Sequence, residues 1–108
     1  MLFAIKYRPR PGRSEAESHR VRNLLMKWEA PEDVAVKHHF HYISGGGVLI
    51  VETDDSAALY QGIGPFKSLV SFDVEPVINF VEAMAISADV EEWAASAQLE
   101  PADKKAAA

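Results

Sequence analysis

Hydrophobic and polar positions change period several times along this chain, and each change marks an element. Residues 1–7 alternate with a period of two, which suits a strand, and Pro9, Pro11 and Gly12 end it. Ser14 then stands three residues before Glu17, the capping-box pattern that satisfies two orphan amides at a helix start. Val21, Leu24, Leu25 and Trp28 follow at i, i+3, i+4 and i+7, one apolar helical stripe that Ala30-Pro31 closes. Residues 34–43 read as a second strand, Ser44-Gly45-Gly46-Gly47 as a turn and residues 48–53 as a third strand, together a hairpin. Asp54 and Asp55 offer N-cap oxygens to a short helix carrying Ala58, Leu59 and Tyr60, which Gly62, Gly64 and Pro65 stop. A fourth strand is predicted over residues 69–77. After it come a short apolar turn and a helix with Val90, Trp93, Ala94 and Ala97 on one stripe. The expected organisation is one domain over residues 1–99 and a disordered tail, EPADKKAAA, over 100–108.

The order βαββαβ with short connections predicts an α+β, ferredoxin-like fold: a four-stranded antiparallel sheet in order 4-1-3-2, helices on one face, and a C-terminal helical extension. Period two sorts the strand faces. Phe3, Ile5, Tyr7, Val34, Val36, Leu49, Val51, Val70, Phe72 and Val74 are expected toward the helices. The opposite face is expected to carry Lys6, Arg8, Lys37, His39, His41, Glu52 and Asp73 among apolar Ala4, Val48 and Ile50.

Composition narrows the function classes. The 108 residues, 48% hydrophobic, fit one compact domain. Sixteen Asp and Glu outweigh eleven Lys and Arg, and no basic cluster is interleaved with aromatics, which argues against nucleic acid as a partner. Cysteine is absent, so disulfides, thiolate chemistry and Cys-ligated metals drop out. No apolar run approaches the roughly 20 residues that span a bilayer, and no leader pattern opens the chain, so no membrane partner is expected and the cytoplasm is the default location.

The most conspicuous chemistry is the stretch HHFH at 38–41. A two- or four-residue hairpin loop centred on Gly45-Gly46 pairs positions whose numbers sum to 91, which sets His39 opposite Glu52 and His41 opposite Ile50. A carboxylate facing an imidazole is the arrangement of a general base and its orienting partner, and equally an ordinary cross-strand charge pair. His38 is expected on the apolar face as a half-buried structural histidine, and His19 toward solvent on the first helix. His39 and His41 could also chelate a metal, with Glu52, Asp73 or Glu75 adding oxygen, but two histidines at this spacing carry no zinc signature. No other cofactor is implied. SGGG joins two strands rather than leading into a helix, so it reads as a hairpin turn and not a phosphate cradle. No nucleophile elbow, dinucleotide fingerprint or H-E-x-x-H is present.

Four stretches taken together, MLFAIKYRPRPG, WEAPEDV, GGGVLIVETDDSAALY and FDVEPVI, resemble the family called domain of unknown function 3303. The family pattern has an aromatic-His pair late in the second strand, which falls on Phe40-His41, and an acidic residue closing the third, which falls on Glu52; His38 and His39 depart from it. The family is similar to the dimeric α+β barrel superfamily, in which two ferredoxin-like sheets pack face to face with helices outside. The resemblance therefore implies a homodimer whose mixed polar face lines a pocket for a small organic molecule. It singles out His41 as the leading acid/base, beside which the strand faces offer His39 and Glu52 as a supporting pair, Lys6, Arg8 or Lys37 as anion binders, and Phe40 and Asp73 as further lining. Relatives of this kind include cofactor-independent monooxygenases, isomerases and cyclases and haem-dependent enzymes, among which fold kinship does not choose. A non-catalytic ligand- or metal-binding module and a structural or accessory dimer are the competing readings.

Overall fold

The computed structural model describes residues 1–99; the expected disordered tail lies outside them. Strand β1 (Leu2–Pro9), helix α1 (Glu15–Lys27), strands β2 (Ala35–His41) and β3 (Gly47–Glu52), helix α2 (Ser56–Ile63) and strand β4 (Val70–Val77) follow in that order. All strand pairs are antiparallel, and the sheet runs β2-β3-β1-β4, the ferredoxin-like order expected from the sequence. These elements make up one compact unit, Met1–Val77, and a second unit begins at Ile78.

Local signals set the element ends. The Ser14 hydroxyl accepts from the Glu17 amide at 3.1 Å and the Glu17 carboxylate accepts from the Ser14 amide at 3.1 Å, a complete capping box. Those hydrogen bonds to Ser14 hold the Glu17 carboxyl below its usual value. Of the two aspartates before α2, Asp55 is the cap, accepting from the amides of Ala57 and Ala58. Asp54 instead meets the amino terminus of Met1 at 3.1 Å.

One face of the sheet is covered. Val21, Leu24, Leu25 and Trp28 of α1, with Ala58, Leu59 and Ile63 of α2 and Phe66 after it, pack on Ile5, Tyr7, Leu49, Val51, Val70, Phe72 and Val74. The Trp28 indole N–H donates to the Gly62 carbonyl at 3.0 Å, tying α1 to the end of α2 and giving the ring's one polar atom a partner. A cavity of about 40 Å³ remains among these side chains.

The second unit holds helix α3 (Phe80–Leu99). Asn79 accepts from the amides of Val81 and Glu82 and so starts the helix where a short apolar turn was expected. With no glycine or proline between Phe80 and Leu99, the apolar residues 80–86 extend the helix expected around Val90 and Trp93.

Candidate functional site

The hairpin decides which side chains meet. The Tyr42 amide donates to the Gly46 carbonyl at 2.8 Å and the Gly45 amide to the Tyr42 carbonyl at 2.9 Å, leaving a three-residue loop, Ile43-Ser44-Gly45. Gly45 adopts φ +99°, the left-handed residue that such loops require at their third position. An odd loop reverses the parity expected from a two- or four-residue turn. His39 consequently pairs with Leu49, His41 with Gly47 and Ala35 with Glu52. The expected His39–Glu52 and His41–Ile50 pairs do not form, and Glu52 lies on the face away from the helices while both histidines lie beneath α1. A bulge between Val36 and His38, at Lys37, lets Val36 keep its helix-side position opposite Val51.

The expectation that His38 faces the helices is corrected for the same reason, and Phe40 shares its face. Both lie on the outer face, opposite Ile50 and Val48, their rings stacked at 6.0 Å and 11°. The other outer-face candidates follow the register. Lys6 stands opposite Val48 on one side and Asp73 on the other, so Phe40, Val48, Lys6 and Asp73 make one row across the sheet. Arg8, on the same face, donates to the Ser44 hydroxyl and the Gly45 carbonyl, each at 3.2 Å, and lies 4.6 Å over the Tyr42 ring. Its guanidinium is engaged in bracing the hairpin loop. Lys37 is exposed at the bulge.

Beneath α1, three rings converge. The Tyr7 hydroxyl lies 2.7 Å from His39 Nε2, and the His41 ring centroid is 6.4 Å from that of Tyr7. Glycine makes this approach feasible: Gly47 separates Tyr7 from His41 in the register, and a Cβ there would stand 2.5 Å from the Tyr7 hydroxyl. Burial pushes the Tyr7 phenol above its usual value. Partial desolvation against Tyr7, on a strand that is otherwise exposed along its length, and then the charge of neighbouring His41 hold His39 below the usual imidazole value. At neutral pH the pair is therefore neutral on both sides, and it can be joined by a proton on either atom. His41 is exposed at the rim.

These rings form the floor of an open cleft of about 520 Å³, between β2 and α1, whose walls are Arg13, Ser18, Val21, Arg22, Leu25 and Met26. Its volume is in the range of small-molecule sites, which are mostly apolar with a few placed polar groups. Among the described residues no group of three or more His, Asp or Glu side chains is arranged to hold a metal ion, and no helix is long and apolar enough to cross a membrane.

The structure thus brings His39 and His41 together and separates them from Glu52, Lys6, Arg8, Lys37, Phe40 and Asp73. The sequence reading missed Tyr7, Arg13, Ser18 and Arg22. Two signals mark them. Tyrosine on an otherwise apolar strand face needs a partner for its hydroxyl. Ser18, Val21, Arg22 and Leu25 repeat the i, i+3, i+4, i+7 spacing one step round α1 from its core stripe.

A comparison with curated proteins finds no match. The profile of the family described as Domain of unknown function (DUF3303) matches residues 1–91, taking in the whole sheet, α1, α2 and every residue of the cleft, and the chain belongs to that family.

Proposed function

We propose that the protein binds a small organic molecule in the cleft between α1 and β2, where Tyr7, His39 and His41 supply the polar contacts. The observation that carries this reading is the Tyr7–His39 pair, 2.7 Å apart, at the floor of an open cleft whose walls mix apolar Val21, Leu25 and Met26 with polar Arg13, Ser18 and Arg22. The chemistry suited to such a floor is proton transfer without a cofactor, of monooxygenase, isomerase or cyclase type. His41 at the rim exchanges the proton and the neutral Tyr7–His39 pair polarises an oxygen of the ligand. Binding without turnover is the second reading. It is favoured by one observation: among the described residues the cleft lining contains no carboxylate to orient an imidazole, because Glu52 lies on the other face.

We further propose that two copies associate through their outer sheet faces. Support comes from the exposed ring of Phe40 and from Leu2, Ala4, Val48 and Ile50, half-buried on a face that neither α1 nor α2 covers. The barrel lumen so formed carries Lys6, His38, Glu52 and Asp73, and His39 and His41 remain outside it.

Titrating the isotope-labelled protein with 2-naphthamide tests the cleft. Shifts are expected at the rings of His39 and His41 and the amides of residues 18–26, and they should vanish in His39→Ala. Shifts confined to the outer face, or none at all, would refute the assignment.

A further inference from the structure

The cleft's positive charge is unmatched. Arg13 is half-buried, and its Nη1 is shut off from solvent without a hydrogen-bond partner among the described residues. A guanidinium stays charged at any pH a protein tolerates, and a buried donor on it without an acceptor costs more than a neutral one. Arg22 adds a second guanidinium to the lining and Ser18 a hydroxyl. The carboxylate that acts on Arg13 from its own segment, Glu17, is engaged by the amide of Ser14 in the capping box and is fully exposed. In a chain of net charge −5, a lining that among the described residues has two arginines and no acid is a local reversal of sign that draws anions in.

We propose that the ligand of this cleft is a carboxylate with an apolar, aromatic-sized body. Arg13 binds its head group with help from Arg22 and Ser18, and Val21, Leu25 and Met26 cover its body. The inference rests on the reading of the cleft as a small-molecule site and adds the ligand's charge to it. A planar carboxylate matches one edge of a guanidinium in two parallel hydrogen bonds, which a spherical halide or a neutral amide does not, and at Arg13 that edge is the one away from the solvent-closed Nη1. With its head at Arg13, the body crosses the cleft toward the Tyr7, His39 and His41 rings, where a carbonyl or phenol oxygen meets the proton-exchanging groups.

The test compares 2-naphthoate with 2-naphthamide, of nearly the same shape but different charge, by calorimetric titration of the full chain near neutral pH. Naphthoate is expected to bind roughly tenfold more tightly or better, the discrimination typical of a hydrogen bond to a charged group. Arg13→Gln should reduce that preference to within about twofold while leaving naphthamide binding in place. Arg22→Gln should reduce it in part, and Arg20→Gln, whose side chain does not line the cleft, should leave it intact. Thermal melts establish that each variant is folded, and Arg22→Gln carries the test if Arg13→Gln does not fold. Equal binding of the two compounds by the parent protein, or an undiminished preference in both the Arg13 and Arg22 variants, overturns the carboxylate assignment alone. If neither compound binds, the cleft reading falls and this inference falls with it.

Discussion

Replacing Gly47 with alanine is the sharpest perturbation of the site that leaves every functional side chain in place. The added Cβ would stand 2.5 Å from the Tyr7 hydroxyl, 2.7 Å from Tyr7 Cζ and 2.5 Å from the Phe40 carbonyl. The last contact is backbone on the neighbouring strand, so relief requires both a turn of the phenol and a widening of the β2–β3 ladder. Overpacking of this kind costs about 1–3 kcal/mol. Losing the Tyr7–His39 hydrogen bond adds about 0.5–1.5 kcal/mol. Reduced freedom of the unfolded chain returns about 0.4–1 kcal/mol. The net expectation is a loss of roughly 2 kcal/mol, a fall in melting temperature on the order of 10 °C for a domain of this size. Gly64 is the control: its position is helical, φ −49° and ψ −49°, and an added Cβ meets nothing within 4 Å. Gly64→Ala should therefore cost clearly less than Gly47→Ala, its remaining penalty being the helical conformation of a residue before Pro65. The informative measurement pairs the melt with an NMR titration of the His39 ring, which should move back toward the usual imidazole value once Tyr7 no longer packs on it. If Gly47→Ala melts with the parent and His39 titrates unchanged, the claim that this glycine makes room for the ring cluster is wrong.

Two further outcomes follow from the same geometry. His39 binds its proton less readily in the folded than in the unfolded chain, so the unfolded state holds more protons just below about pH 6.5 and stability falls as pH drops through that window. The raised Tyr7 phenol gives the mirror effect, a loss of stability as pH rises above about 10. In His39→Phe the acid-side slope in denaturant midpoints should flatten, and an unchanged slope would assign it to other groups. For assembly, light scattering should return a dimer at micromolar concentration and Phe40→Glu should shift it toward monomer, with unfolding midpoints adjusted for concentration. A parent protein that is monomeric in that range rules out pairing through the outer face.

The fold was legible because its signals are local or periodic. Ser14 with Glu17, the stripe from Val21 to Trp28 and the short connections sufficed for the element order and for the sheet order β2-β3-β1-β4. The site was half legible. That His39 and His41 share a face follows from strand alternation alone. Which face they share does not, because it depends on how many residues of the glycine run belong to the ladder: Gly46 and Gly47 pair with Tyr42 and Tyr7, and three other residues form the loop. The bulge at Lys37 is equally invisible in a hydrophobicity pattern. Without it Val36 and His38 would share a face, as the alternation suggested. Arg13 escaped notice because a charged residue before a helix cap reads as solvated, and only the packing around it closes one of its nitrogens from water.

Hairpin loops are ordinarily the most forgiving part of a sheet protein, where residues are gained and lost at little cost. Ile43-Ser44-Gly45 does not have that latitude. One residue more or fewer, with the same pairing of β1 and β3, would turn β2 over along its length, carry both imidazoles to the uncovered side of the sheet and bring Phe40 under α1. The length of this segment, rather than the identity of its exposed residues, is what its tolerance to change would reveal. A change of two residues is compatible with the cleft, and a change of one dismantles it.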